Sequence, residues 1–164
     1  MGLSNLGIFH TAIGLIAIGA ALTAFVRYGK IDVGRISGKV YFYSTLVTSV
    51  TALGISKHGG FNAGHVFSLL IMILVLGAYL LHTRKAGLSR ARYFENFLMS
   101  FSFFLSLLPT INETFTRVPV GHPLAKDINA PVIGRTLLFI LILFVTGSVY
   151  QFRKQRTINR TARA

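Results

Sequence analysis

Five apolar runs alternate with short polar stretches along this chain, at roughly 6–26, 39–56, 64–82, 94–116 and 132–150. Each is close to the roughly 20 residues that a helix needs to cross a bilayer at about 1.5 Å per residue. The pattern predicts an all-α membrane protein: one five-helix transmembrane bundle, followed by a basic tail at 151–164. The second run is the least apolar, because Ser44, Thr45, Thr48, Ser49 and Thr51 fall within it. It is expected to be surrounded by the other four, where its hydroxyls can bond to neighbouring helices.

Charge assigns a direction to these runs. Thirteen of the 17 Lys and Arg residues lie in three clusters, Arg27/Lys30/Arg35/Lys39, Arg84/Lys85/Arg90/Arg92 and Arg153/Lys154/Arg156/Arg160/Arg163. Basic residues near span ends are held in the cytoplasm during insertion, so the N-terminus is expected outside and the C-terminus inside. The first run ends in small residues (Ala20, Ala21, Ala24) as a secretory signal does. It has no Lys or Arg before it, however, so it reads as a retained N-out anchor.

Composition then excludes several classes. With 52% hydrophobic residues and four acidic side chains, the chain has more apolar surface than a soluble domain of 164 residues can bury. The net charge of +13 is confined to the ends of apolar runs and forms no continuous basic face. Anionic inner-leaflet lipid is therefore the expected partner, and nucleic acid is not. The absence of cysteine removes disulfides, thiolate metal sites and thioether-linked haem. No internal repeat, Walker sequence, G-x-S-x-G or H-E-x-x-H is present, so neither nucleotide-driven transport nor serine hydrolysis is supported.

Candidate chemistry gathers at the outer level. His10, His58, His65 and His122 lie on or near that side, and counting along the helices places His10, His65 and Glu113 at a similar depth, roughly 5 Å inside the boundary. Gly7, His10, Gly14, Ala17, Ala21 and Ala24 recur every three or four residues, a small-residue stripe that turns His10 towards a packed neighbour. Ser102, Ser106, Pro109 and Glu113 make a second stripe, which predicts that Glu113 also turns inward. Ionisable groups at membrane depth need partners. Imidazole with carboxylate suits a transition-metal ion, and two facing imidazoles suit a b-type haem. The metal reading uses His10, His65, Glu113 and His122; the haem reading uses His10 and His65. His58, Asn112, Arg117 and Arg135 complete the polar set. The competing reading is a packing pair, Glu113 with His10 or Arg117. His82, about 25 Å from His65 along one helix, is expected to cap that helix near Arg84.

The segments His10-Thr-Ala-Ile-Gly14, Gly34-Arg-Ile-Ser-Gly38-Lys-Val-Tyr41, His58-Gly-Gly60 and Glu113-Thr-Phe-Thr-Arg117-Val-Pro-Val-Gly-His122-Pro123, in that order, resemble small bacterial inner-membrane proteins grouped under a domain of unknown function. The resemblance spans roughly residues 7–123. It implies a multi-pass bacterial inner-membrane location and no particular reaction. Three functional expectations follow: a metal- or haem-binding protein for trafficking or electron transfer, an accessory or scaffold subunit docked on a membrane partner or a second copy of itself, and a small proton-coupled carrier.

Overall fold

The computed structural model describes residues 4–55, 60–84 and 88–161. They form five helices: α1 (Asn5–Tyr28), α2 (Ile36–Leu53), α3 (Ala63–Arg84), α4 (Ser89–Arg117) and α5 (Pro131–Thr161). Consecutive helices pack on one another, α1 on α2, α2 on α3, α3 on α4 and α4 on α5. Local chemistry sets several boundaries. Ser4 caps α1 by accepting from the Gly7 amide, and Gly29, in the left-handed region at φ 73°, ends it with its amide bonded to the Phe25 carbonyl. Pro131 opens α5, a position where its missing N–H costs nothing.

Helices α1, α3, α4 and α5 are each long and apolar enough to cross a membrane. Helix α2, with 18 residues, is not one of those four. Its hydroxyl-rich face is buried as expected at Thr45 and Ser49, but Val40, Tyr43, Val47 and Val50 are exposed on its other side. The other helices therefore do not surround it. It is instead a two-faced helix, and the apolar half of its surface remains available to lipid.

The interior is narrow. The stripe predicted for α1 is the face it buries, with Ala17, Ala21 and Ala24 almost fully covered. A Cβ on Gly14 would lie 3.7 Å from the Thr48 methyl group, an ordinary contact across the α1–α2 seam. The buried positions of α3 (His65, Ser68, Ile71, Val75, Ala78) also follow a three- and four-residue rhythm. Continued by one turn, that stripe reaches His82. Tyr41 of α2 is buried and shares a 2.8 Å hydrogen bond with Ser102 of α4, while its ring meets Phe103 edge-on. Between α4 and α5, Phe97, Phe101 and Phe104 pack around Phe144.

One end of the bundle collects the C-terminal ends of α1, α3 and α5 and the N-terminal ends of α2 and α4. Gln151 of α5 donates to the Gly29 carbonyl just after α1, and His82 of α3 meets Glu95 of α4. The described members of the three basic clusters therefore converge on one end, called the basic end below.

Candidate functional site: a charged centre at the basic end

Only four acidic residues occur in the chain, and two of them, Asp32 and Glu95, lie at the basic end. Glu95 is fully buried, one turn and a half into α4, and both of its oxygens are engaged. Oε1 lies 2.7 Å from His82 Nδ1, and Oε2 accepts from Arg92 Nη1 at 2.7 Å. The i, i+3 spacing on α4 brings Arg92 to Glu95, and the last turn of α3 supplies His82. A carboxylate can only accept, so Nδ1 of His82 carries the hydrogen and the imidazole donates to Glu95. The 3.1 Å approach of Arg92 to the same nitrogen is then proximity between two donors to one carboxylate.

The α1–α2 connection closes the centre. Asp32 Oδ1 accepts from the Gly34 amide at 2.9 Å, a local turn that fixes the carboxylate, and Lys30 lies 3.6 Å from its other oxygen. The imidazole of His82 sits against Gly34, where an added Cβ would come 3.5 Å from the ring. Burial pushes the Asp32 carboxyl up, but the Gly34 amide, the Lys30 ammonium and the His82 ring outweigh it and hold the group below its ordinary value of 3.8. One ligand atom each from Asp32, His82 and Glu95 lies within 4.8 Å of the others. Among the described residues this is the one group of three His, Asp or Glu side chains so arranged.

The residues expected at the opposite end are distributed differently. His10 does face its neighbour: Nδ1 lies 3.1 Å from both the Thr48 carbonyl and Thr51 Oγ1. A carbonyl only accepts, so His10 donates from Nδ1 and ties α1 to α2. His65 is buried, but its Nδ1 accepts from the Asn62 amide at 3.2 Å. A neutral imidazole in that state carries its hydrogen on Nε2, the nitrogen that faces the interior without a partner. Neither nitrogen is then free to ligate. Glu113 does not turn inward. It is more than half exposed and bonds Arg117 at 2.6 Å along its own helix, well past Leu105, the last fully buried residue of α4.

Asn112 Oδ1 is buried without a partner, while Arg135 and His122 are exposed. The loop that carries His122 folds back only as far as the last turn of α4, where the Ala125 amide bonds the Phe115 carbonyl. His58 lies outside the described residues. The proposed ligand set His10, His65, Glu113 and His122 is therefore not assembled. The expectation that His82 only caps its helix is also corrected, since its ring bonds a carboxylate on α4.

Glu95, Arg92 and Asp32 were missed as site residues, although a signal for them existed. A carboxylate three residues after an arginine, inside an apolar run and on the basic side, needs a cation at depth, and only one histidine is available at that level. Compared with family models, curated proteins and solved structures, the chain matches none.

Proposed function

We propose that this chain is a multi-pass protein of a bacterial inner membrane, with five crossings, its N-terminus outside and its basic end in the cytoplasm, and that it binds one divalent transition-metal ion between Asp32, His82 and Glu95. Convergence of all three basic clusters on one end supports the orientation, since such clusters are retained on the cytoplasmic side. The segments quoted above for their resemblance to bacterial inner-membrane proteins support the location. The observation that carries the metal reading is the approach of three ligand atoms, from three separate segments, to within 4.8 Å of one another.

The chemistry of the donor set fits. Two carboxylates neutralise a divalent charge, and one imidazole adds a nitrogen suited to Zn(II), Mn(II) or Fe(II). Arg92 is the cation now bonded to Glu95; an ion held there would take over its electrostatic role. Binding also needs the hydrogen on His82 Nδ1 to leave, since that nitrogen now donates to Glu95. The function that follows is metal handling at the cytoplasmic face.

Zinc titrated calorimetrically into chelator-treated, detergent-purified protein tests this reading. One site is expected, weakened at least about tenfold in His82→Ala and in Asp32→Asn. A wild-type titration without a saturable site, or unchanged binding in both variants, contradicts it. A second reading, a cofactor-free accessory subunit, is favoured by the fact that both Glu95 oxygens are already bonded within the chain. In that case His82→Ala loosens the bundle and leaves zinc binding unchanged.

A further inference from the structure

At the basic end, α4 and α5 are joined by a polar ladder whose direction is fixed by backbone carbonyls. Asn159 donates to the Ser89 carbonyl, so its own oxygen accepts from Gln155 Nε2. Gln155 therefore offers Oε1 to Asn96 Nδ2. A carbonyl cannot donate, so no amide in this series can be turned round without loss. The consequence falls on Asn96: its amide nitrogen is used, while Oδ1 is left without a partner although the residue is only 4% exposed. The next rung, Ser100 to Gln151 to the Gly29 carbonyl, is fixed in the same way and offers Asn96 nothing.

Asn96 lines a cleft between the two helices, together with Ser148, whose hydroxyl is also buried and unpartnered. The cleft continues into a larger opening of about 370 Å³. It is lined by apolar Phe97, Val149 and Phe152 together with Ser148, Arg153 and Arg156. Both arginines are exposed, and neither has an ion pair among the described residues. Along α5, the step from Val149 to Arg156 is about 10 Å, comparable to the passage from acyl chains to headgroups.

We propose that this cleft holds an anionic phospholipid whose headgroup bears a hydroxyl, of the phosphatidylglycerol type. The phosphate lies between Arg153 and Arg156, the acyl chain runs along Phe97 and Val149, and a headgroup hydroxyl donates to Asn96 Oδ1. Charge complementarity selects the anion, since a phosphate accepts what guanidinium groups donate. The unused Asn96 oxygen selects the hydroxyl, because it can only accept.

Full-length protein purified in detergent and examined by native mass spectrometry tests this with lipids of defined headgroup. Phosphatidylglycerol is expected to be retained over phosphatidylcholine, and Arg153→Gln/Arg156→Gln to lower retention about tenfold or more. An Arg27→Gln/Arg90→Gln control should retain it as wild type does. Phosphatidylmethanol, anionic but without a hydroxyl, should be held more weakly than phosphatidylglycerol by wild type. Ser148→Leu, which fills the cleft and keeps every charge, should also lose the lipid. Glycerol phosphate without acyl chains should not compete at equal concentration. Equal retention of phosphatidylcholine, equal loss in the two arginine pairs, or full retention in Ser148→Leu overturns the proposal.

Discussion

The two ends of this bundle use the same residue types to opposite effect. At the basic end, Glu95 is buried and bonded to residues on two helices, while at the other end Glu113 is exposed and bonded to its own helix four residues on. The difference lies in the surroundings. Where α3, α4 and the α1–α2 connection meet, cations from several segments stand ready to compensate a buried carboxylate, and desolvation strengthens each bond. Beyond Leu105, α4 has no such neighbours, and Glu113 keeps water and a single arginine. Buried charge in this protein therefore marks the place where most segments converge, whereas histidine count along the sequence does not.

The largest expected effect tests that contrast directly. Glu95→Ala removes the fully buried carboxylate that holds Arg92 and His82, whose side chains are 27% and 24% exposed, and should destabilise the bundle by about 3 kcal/mol. Glu113→Ala removes an exposed i, i+4 pair and should cost about 0.5 kcal/mol or less. Denaturant unfolding in detergent compares the two; equal losses would erase the distinction between the ends.

A backbone contact sharpens it further. Any Cβ on Gly38 would run into the Asp32 carbonyl, and backbone cannot yield as a flexible side chain can. Gly38→Ala should therefore cost about 1–3 kcal/mol and move Asp32 away from His82, whereas Gly14→Ala, facing only the Thr48 methyl group, should be close to neutral. Thermal melts of the two variants decide this. Next in size is Ser100→Ala, which leaves Gln151 Oε1 buried without a donor and should cost about 1–3 kcal/mol. Exposed Thr146, bonded only along its own helix, should tolerate alanine with a change within about 0.5 kcal/mol.

The smallest effect is a pH dependence. Asp32 has a folded value below its unfolded one, so its contribution is complete above the ordinary carboxylate value of 3.8 and is lost as pH falls through the lower folded value. Unfolding titrations should show a loss of stability below that value which Asp32→Asn lacks, with the contribution of this group constant between about pH 5 and 8. A difference between wild type and variant whose slope lies at neutral pH would assign the dependence to another group.

Much of the architecture was legible in the sequence. The positions of the five helices, the grouping of charge at one end and the small-residue stripe of α1 follow from period and hydropathy, which are local properties, and His10 lies on a packed face as its stripe implies; the tail expected from residue 151 instead continues α5 as helix to Thr161. The site was less legible. Counting depth along helices cannot tell whether a face is still packed, and Glu113 sits well past the last fully buried residue of α4. His65 lies at the expected height, but its tautomer is set by the Asn62 amide, a bond between its own helix and the preceding turn that spacing does not reveal. Conversely, the contact of His82 with Glu95 joins two helices through a tight connection, and reading His82 as a cap considered α3 alone. The polar α2 was rightly read as the odd helix, but its second face, with Val40 and Val47, was overlooked.

The central claim is that the chemistry of this protein resides at the basic end, around His82. Elemental analysis of protein purified in parallel as wild type, His82→Ala and His65→Ala tests it most directly. The account predicts about one transition-metal ion per chain in wild type and His65→Ala, and none in His82→Ala. Wild type purified from metal-supplemented cultures without bound metal, or His82→Ala retaining what His65→Ala loses, would contradict it.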